Sequence, residues 1–140
     1  MVDLIACLHH IGCRALRPEG LETANDGVLG IVQVESRRAL ASVTEIAVIP
    51  GVDVLFVGPR DLSHDLGVPG AFTHPAFRAA LDEVLAAAKN AGITAGILAG
   101  TAQQAQEYAD LGFRFVGVGS DASLLARAAH DTVRYLRDGD

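Results

Sequence analysis

Two acidic residues, Glu35 and Asp61, are the strongest candidates for chemistry in this sequence. Each closely follows a short apolar run, Glu35 after residues 28–34 and Asp61 after residues 52–58. A carboxylate at the end of a buried strand is costly unless it is exposed, paired or bound to a cation. Mg²⁺ is commonly held by one or two carboxylates together with water and substrate oxygens. The pair is therefore a candidate cation site, although spacing alone favours the alternative that each residue caps the helix that follows it.

The only lysine in the sequence, Lys89, bears on the type of chemistry that is possible. It lies near the end of the helical pattern 75–91. In a parallel α/β unit the end of the helix lies on the side opposite the carboxyl ends of the strands. A substrate bound at the carboxyl ends of the strands therefore cannot easily form a Schiff base with Lys89. Carbon–carbon chemistry at this site would need a metal ion, not an amine, to stabilise an enolate.

Four continuous apolar runs rich in Val and Ile predict the elements that position these residues. They cover residues 28–34, 52–58, 94–100 and 113–119. Continuous rather than alternating apolar runs are typical of strands buried on both faces of a parallel sheet. Helical patterns separate the runs, and they begin with the signals Ser36, Pro75, Thr101 and Ser120 or Asp121. The β-α order repeats four times, which predicts a parallel α/β fold.

The carboxyl ends of these strands are where a parallel α/β fold places reactive groups. They carry Gln33 and Glu35, which share one face of their strand, and the segments 58–63, 98–101 and 117–121. A complete (β/α)8 barrel needs about 250 residues. The four predicted units therefore form either a small open sheet or half of a barrel.

Composition narrows the class of protein. The chain has 140 residues, of which 50% are hydrophobic and 20% are charged, and its formal net charge is −6. This length allows one domain, and the apolar content argues against disorder. The acidic balance argues against binding to nucleic acid, and no apolar run approaches the roughly 20 residues that span a membrane.

The cysteine content and the N-terminal sequence give an expectation for location. Cys7 and Cys13 flank His9 and His10, but the spacing matches no common zinc finger. Two cysteines are too few for a disulfide scaffold, and the N-terminus has none of the marks of a signal peptide. We therefore expect a reduced protein of the cytoplasm.

Longer segments resemble the HpcH/HpaI aldolase and citrate lyase family. They are ANDGVLGIVQVESRRAL, IPGVDVLFVGPRDLSHDLG, AGILAG and GFRFVGVGSDASLLARAA, and the resemblance runs from about Thr23 to Arg137. It implies the C-terminal half of a (β/α)8 barrel, within a domain covering residues 23–140. It also implies a class II aldolase that cleaves 4-hydroxy-2-oxo acids to pyruvate and an aldehyde through a metal-stabilised enolate.

The resemblance also implies roles for particular residues. Glu35 and Asp61 correspond to the two protein ligands of a divalent metal ion, Mg²⁺, Mn²⁺ or Co²⁺. Six further residues correspond to positions around pyruvate. Gly58, Pro59 and Arg60 match the turn that faces its carboxylate. Leu98 and Val118 match apolar positions of the pocket wall, and Gln33 is assigned to substrate binding.

One part of the family pattern has no counterpart in the chain. The family's catalytic arginine and its histidine-based acid–base apparatus belong to the N-terminal half of the barrel, so no catalytic residue is assigned. Residues 1–22 are interpreted as a leader that does not resemble the family, since His9, His10, Arg14 and Arg17 match none of its motifs.

Four barrel strands alone would leave two open sheet edges and an uncovered apolar face, which predicts a homo-oligomer. Two alternative functions stay open. One is a non-catalytic half-barrel that acts only in assembly, and the other is a citrate-lyase-like enzyme that acts on acyl-CoA thioesters.

Overall fold

Four parallel strands form a single sheet in the computed structural model, which describes residues 28–139. The strands follow one another across the sheet in chain order, as β1 (Ile31–Val34), β2 (Val54–Val57), β3 (Thr94–Ala99) and β4 (Phe115–Val118). Each lies within one of the four apolar runs, so the predicted parallel α/β sheet is confirmed.

Six helices connect and follow these strands within the described residues: α1 (Arg37–Ala41), α2 (Val43–Ala47), α3 (Pro59–Asp65), α4 (Pro75–Ala91), α5 (Ala102–Leu111) and α6 (Asp121–Asp138). Their ends follow the predicted signals. The side chains of Ser36, Thr101 and Ser120 cap α1, α5 and α6, and Gly92 ends α4 in the left-handed conformation at φ 72°. Ser120, not Asp121, is therefore the N-cap of α6.

Two helical features differ from the sequence prediction. The helix that begins after Ser36 is divided at Ser42, whose φ of −105° and ψ of 10° interrupt it. The short helix α3 was not predicted, although Pro59 occupies its first turn, where proline is favoured. Burial of Leu62 and Ser63, both 0% exposed, holds α3 in place.

The two faces of the sheet differ in burial. Val34, Val57, Ile97 and Val116 lie in one row across the four strands, and all are buried in the core. Alternate residues point to the opposite face, where Ile31 is 45% exposed and Leu98 is 41% exposed. We call this second surface the inner face, because it is the one that a closed barrel would enclose.

The centre of the inner face has no space for a side chain at Gly96. This residue lies between Phe56 and Phe115, whose rings meet edge to face with centroids 5.9 Å apart. A Cβ atom on Gly96 would lie 2.8 Å from Phe56 Cδ2 and 2.9 Å from the Phe115 carbonyl oxygen. The glycine therefore permits the aromatic contact.

We expect Gly96→Ala to lower the free energy of unfolding by about 1–3 kcal/mol, the usual cost of overpacking. Urea denaturation measures this change. Gly117→Ala is the matched control, since its Cβ would lie 3.2 Å from the tip of the Leu98 side chain and at an ordinary contact distance of 3.9 Å from Phe56 Cζ. Equal stability of the two variants would contradict the steric interpretation.

The last helix, α6, is amphipathic but has no buried residue. Leu125 and Leu136 are 73% and 77% exposed, and Leu124 and Val133 are exposed as well. None of the helices between residues 28 and 139 is long and apolar enough to cross a lipid bilayer. The apolar side of α6 is therefore unpartnered within the described part of the chain.

Candidate active site at the carboxyl ends of the strands

The strand register places Glu35 beside Gly58. Val34 pairs with Val57, and the Gly58 amide donates a hydrogen bond of 3.2 Å to the Val34 carbonyl oxygen. A Cβ atom on Gly58 would lie 3.2 Å from Glu35 Oε2 and 3.2 Å from Gln33 Nε2. The side chains of Gln33 and Glu35 therefore lie together over Gly58, on one face, as their spacing predicts.

Gly58 also begins the helix that carries Asp61. It is the N-cap of α3, and Asp61 lies in the first turn. Because strand β2 ends at Val57, only residues 58–60 separate Asp61 from the strand that pairs with β1. The structure thus brings the carboxyl ends of the first two βα units together, each with one acidic residue.

Neither residue is a side-chain N-cap, although Asp61 lies in the first turn of α3, where the helix dipole favours a carboxylate. Helix α1 is capped by Ser36, and its first amide, that of Arg37, donates to Asp65; α3 begins without a side-chain cap. None of the ion pairs between described residues includes Glu35 or Asp61. Both carboxylates are therefore available to bind a cation.

A cavity of about 810 Å³ opens at the same end of the sheet. Five of the residues predicted to surround a substrate line it, together with Asp61; these five are Gln33, Gly58, Pro59, Arg60 and Leu98. Glu35 is not part of the cavity wall but lies next to it over Gly58. Val118 is likewise not in the wall, because it points away from the inner face and packs against the core.

The donor set fits a hard divalent ion. It consists of the Glu35 and Asp61 carboxylates; no cluster of three or more His, Cys, Asp or Glu side chains that could hold a metal ion lies among residues 28–139. One or two carboxylates with open positions for water and substrate oxygens are typical of Mg²⁺ sites. Cys7 and Cys13, the alternative zinc ligands, lie outside the described residues.

Tyr108 is a polar residue of the cavity wall that was not predicted from the sequence. It lies on α5, is 4% exposed and packs edge to face against Phe113 with ring centroids 6.0 Å apart. Burial raises the pKa of its phenol above 10.0; the positive charge of Arg78 opposes this shift and the negative charge of Glu107 adds to it. Tyr108 follows Ala105 at helical spacing, and both are buried, so the pattern identifies it as a core residue but does not show that it lines a cavity.

The raised pKa of Tyr108 predicts a loss of stability in alkali. The folded state holds the phenolic proton more tightly than the unfolded state, so the protonated phenol contributes to the free energy of unfolding. This contribution is fully present below the unfolded pKa of about 10, and it is lost as the pH rises through the folded pKa. We expect Tyr108→Phe to reduce the loss, as measured by urea denaturation at about pH 8 and about pH 11. An identical alkaline loss in the variant would contradict the assignment.

Comparison with known proteins gives consistent matches. The family model described as HpcH/HpaI aldolase/citrate lyase matches residues 4–128. A hydroxypyruvate/pyruvate aldolase of Paraburkholderia phytofirmans is 41% identical over 122 residues, which are 87% of this chain and 47% of that protein. A 4-hydroxy-2-oxo-heptane-1,7-dioate aldolase of Shigella sonnei is 43% identical over 112 residues, 80% of this chain and 43% of that protein.

A solved structure gives the same result. The crystal structure of an HpcH/HpaI aldolase/citrate lyase family protein from Burkholderia cenocepacia superimposes with a TM-score of 0.80 at 45% identity, over 87% of this chain and 48% of that one. The predicted half of a (β/α)8 barrel is thereby confirmed.

The matches also show how much of each relative this chain covers. The chain spans a little less than half the length of each of these relatives. The family match begins at residue 4, within the segment 1–22 that the quoted motifs do not include. That segment lies outside the described residues, so the domain boundary at residue 23 stays a prediction. The fold, the family model and the named aldolases agree, and the chain belongs to the HpcH/HpaI aldolase/citrate lyase family.

Proposed function

We propose that this chain provides the metal-binding half of a cytoplasmic class II aldolase that cleaves 4-hydroxy-2-oxo acids to pyruvate and an aldehyde. The observation that carries the proposal is the juxtaposition at Gly58. The Glu35 carboxylate lies beside Gly58, and Gly58 begins the helix whose first turn carries Asp61, so each of the first two βα units has an acidic residue at its carboxyl end. Neither residue forms an ion pair with another described residue.

Glu35 and Asp61 would hold Mg²⁺, Mn²⁺ or Co²⁺. Such an ion supplies Lewis-acid stabilisation of the enolate oxygen that develops when the carbon–carbon bond breaks. The other residues bind and orient the substrate. Gln33 has its amide nitrogen over Gly58, on the same side as the Glu35 carboxylate, and Leu98 gives the cavity an apolar wall.

The turn 58–60 is suited to the carboxylate of pyruvate. Helix α3 begins at Pro59 without a side-chain cap, so the amides of its first turn have no side-chain acceptor. Unsatisfied amides at a helix start favour an anion. Arg60, which is exposed and lines the cavity, adds a positive charge there.

The non-catalytic half-barrel is the main alternative. The titratable residues that line the cavity are Arg60, Asp61 and Tyr108, and none of them is assigned as a catalytic acid or base. This supports the non-catalytic alternative. The citrate-lyase-like alternative shares both acidic ligands, but the two relatives above with a named activity, at 41% and 43% identity, are aldolases.

Deuterium exchange at the methyl group of pyruvate, followed by NMR, tests the proposed function because it requires enolisation and no particular aldehyde. We expect exchange that depends on Mg²⁺ or Mn²⁺ and is lost in Asp61→Ala. Asp82→Ala, which removes an exposed carboxylate from α4, is the control and should retain the exchange. Metal binding without any exchange would favour the non-catalytic half-barrel.

The exposed inner face supports a homo-oligomer. Ile31 lies on β1, which pairs only with β2 among the described strands, and open edges beside exposed apolar surface promote association. We expect sedimentation at micromolar concentration to show a species larger than a monomer. Ile31→Lys should weaken the association, whereas Thr44→Lys, an exposed polar position on α2, should not. A parent chain that sediments as a monomer would contradict this prediction.

A further inference from the structure

A hydrogen bond joins the last residue of α3 to the first residue of α1. The Arg37 amide donates to Asp65 Oδ2 over 2.6 Å, and the Arg37 Nε atom lies 3.7 Å from the same oxygen. The side chain of Arg37 is 70% exposed, so the ion pair contributes little, whereas the backbone hydrogen bond fixes a main-chain atom.

This contact closes a small ring of chain that includes both acidic residues. On one side, residues 34–37 carry Glu35; on the other, residues 58–65 carry Asp61. The two sides are joined at one end by the 3.2 Å hydrogen bond from the Gly58 amide to the Val34 carbonyl oxygen. They are joined at the other end by Asp65 and the Arg37 amide. Each acidic residue therefore lies between the same two cross-links.

The side of the ring that carries Asp61 is firmly anchored. Leu62 and Ser63 are 0% exposed. The Ser63 hydroxyl donates to the Arg60 carbonyl oxygen over 2.9 Å and accepts from the Gly70 amide over 3.1 Å. Helix α3 is thus held in position by these contacts, and Asp65 connects it by a hydrogen bond to the backbone segment that carries Glu35.

We propose that Asp65 is a positioning residue for the cation site: it fixes the backbone that carries Glu35 at a set distance from Asp61. The inference rests on the proposed function, since it assumes that the two carboxylates share an ion. Asp65 itself acts through Arg37 and is not assigned as a ligand. Helix α1 retains its Ser36 cap, whose side chain accepts from the Ala39 amide, so loss of Asp65 should leave the helix formed.

Calorimetric titration of the full chain with Mn²⁺ tests the proposal. We expect Asp65→Ala to weaken binding about tenfold, the lower end of the effect of residues that orient metal ligands. Asp65→Asn should restore most of the affinity, because its side-chain oxygen still accepts from the Arg37 amide.

Two substitutions at Arg37 separate the backbone hydrogen bond from the exposed ion pair. Arg37→Pro removes the amide hydrogen at the first position of α1, where proline is tolerated, and Ser36 before it is already extended at φ −143° and ψ 157°. It should weaken Mn²⁺ binding as much as Asp65→Ala. Arg37→Ala keeps the amide and should stay within about twofold of the parent, because exposed ion pairs are weak.

Two further readouts distinguish positioning from a general structural role. Thermal unfolding without metal should show similar midpoints for Asp65→Ala and Asp65→Asn, while the electron paramagnetic resonance spectrum of bound Mn²⁺ should change only in Asp65→Ala. Parent-like affinity in both Asp65→Ala and Arg37→Pro would overturn the positioning role and leave the metal site intact. Failure of the parent itself to bind Mn²⁺ would overturn the metal site and the positioning role together.

Discussion

Replacing Glu35 or Asp61 with alanine is expected to abolish the binding of Mn²⁺ measured by titration calorimetry. Each substitution removes one of the two proposed carboxylate ligands, Glu35 beside Gly58 and Asp61 in the helix that Gly58 begins. A hard cation held by two carboxylates loses half of the protein charge that compensates its dehydration. The effect should therefore be a loss of binding, not a modest change in affinity.

Charge-neutral variants of similar shape sharpen this result. Glu35→Gln and Asp61→Asn retain the volume of each side chain, so a loss of binding in them cannot come from a cavity. Glu45→Ala on α2 is the matched control, since it removes an exposed acidic side chain from another part of the fold. If both alanine variants bind Mn²⁺ as tightly as the parent, the assigned ligand pair is wrong.

Phe77→Ala is expected to produce the largest loss of stability. The ring is 0% exposed on α4 and packs against Phe72 with centroids 5.4 Å apart. Truncating a buried phenylalanine costs about 3–5 kcal/mol, because burial is lost and a cavity remains. Since a whole domain is stable by only about 5–15 kcal/mol, this variant should be close to unfolding. Urea denaturation measures the change.

Leu125→Ala provides the comparison for Phe77→Ala. Leu125 is 73% exposed on α6, so its truncation should change the free energy of unfolding by no more than about 0.5 kcal/mol. Equal losses in the two variants would contradict the placement of the core between the sheet and α4.

The elements that could be predicted from the sequence are those whose signals are local. Pro75 and Gly92 bound α4 through their own backbone preferences, and Thr101 caps α5 through an amide three residues away. Helix α3 was missed because it is short and depends on the burial of Leu62 and Ser63 against the rest of the fold. Burial of that kind is a property of the packed chain and has no local signature.

The same distinction applies to the candidate site. Glu35 and Asp61 could be predicted to lie at the same edge of the sheet, because the carboxyl ends of consecutive parallel strands meet there. Asp65 could not, because its partner Arg37 is 28 residues away and the contact depends on how α1 and α3 are oriented. Val118 illustrates a register effect: in the pairing of β3 with β4, Leu98 lies opposite Gly117, so Gly117 and not Val118 shares the inner face with Leu98.

The ring of chain that includes Glu35 and Asp61 has a consequence for biosynthesis. Both carboxylates, Gly58 and the bond between Asp65 and Arg37 lie within residues 31–65, ahead of β3 and β4 in the chain. A ribosome therefore completes the whole segment before it has made the rest of the sheet. A ligand that binds only a folded arrangement stabilises it by mass action. A cation in this ring would thus favour the pairing of β1 with β2 in the nascent chain, and the remaining strands would add to a register that is already set.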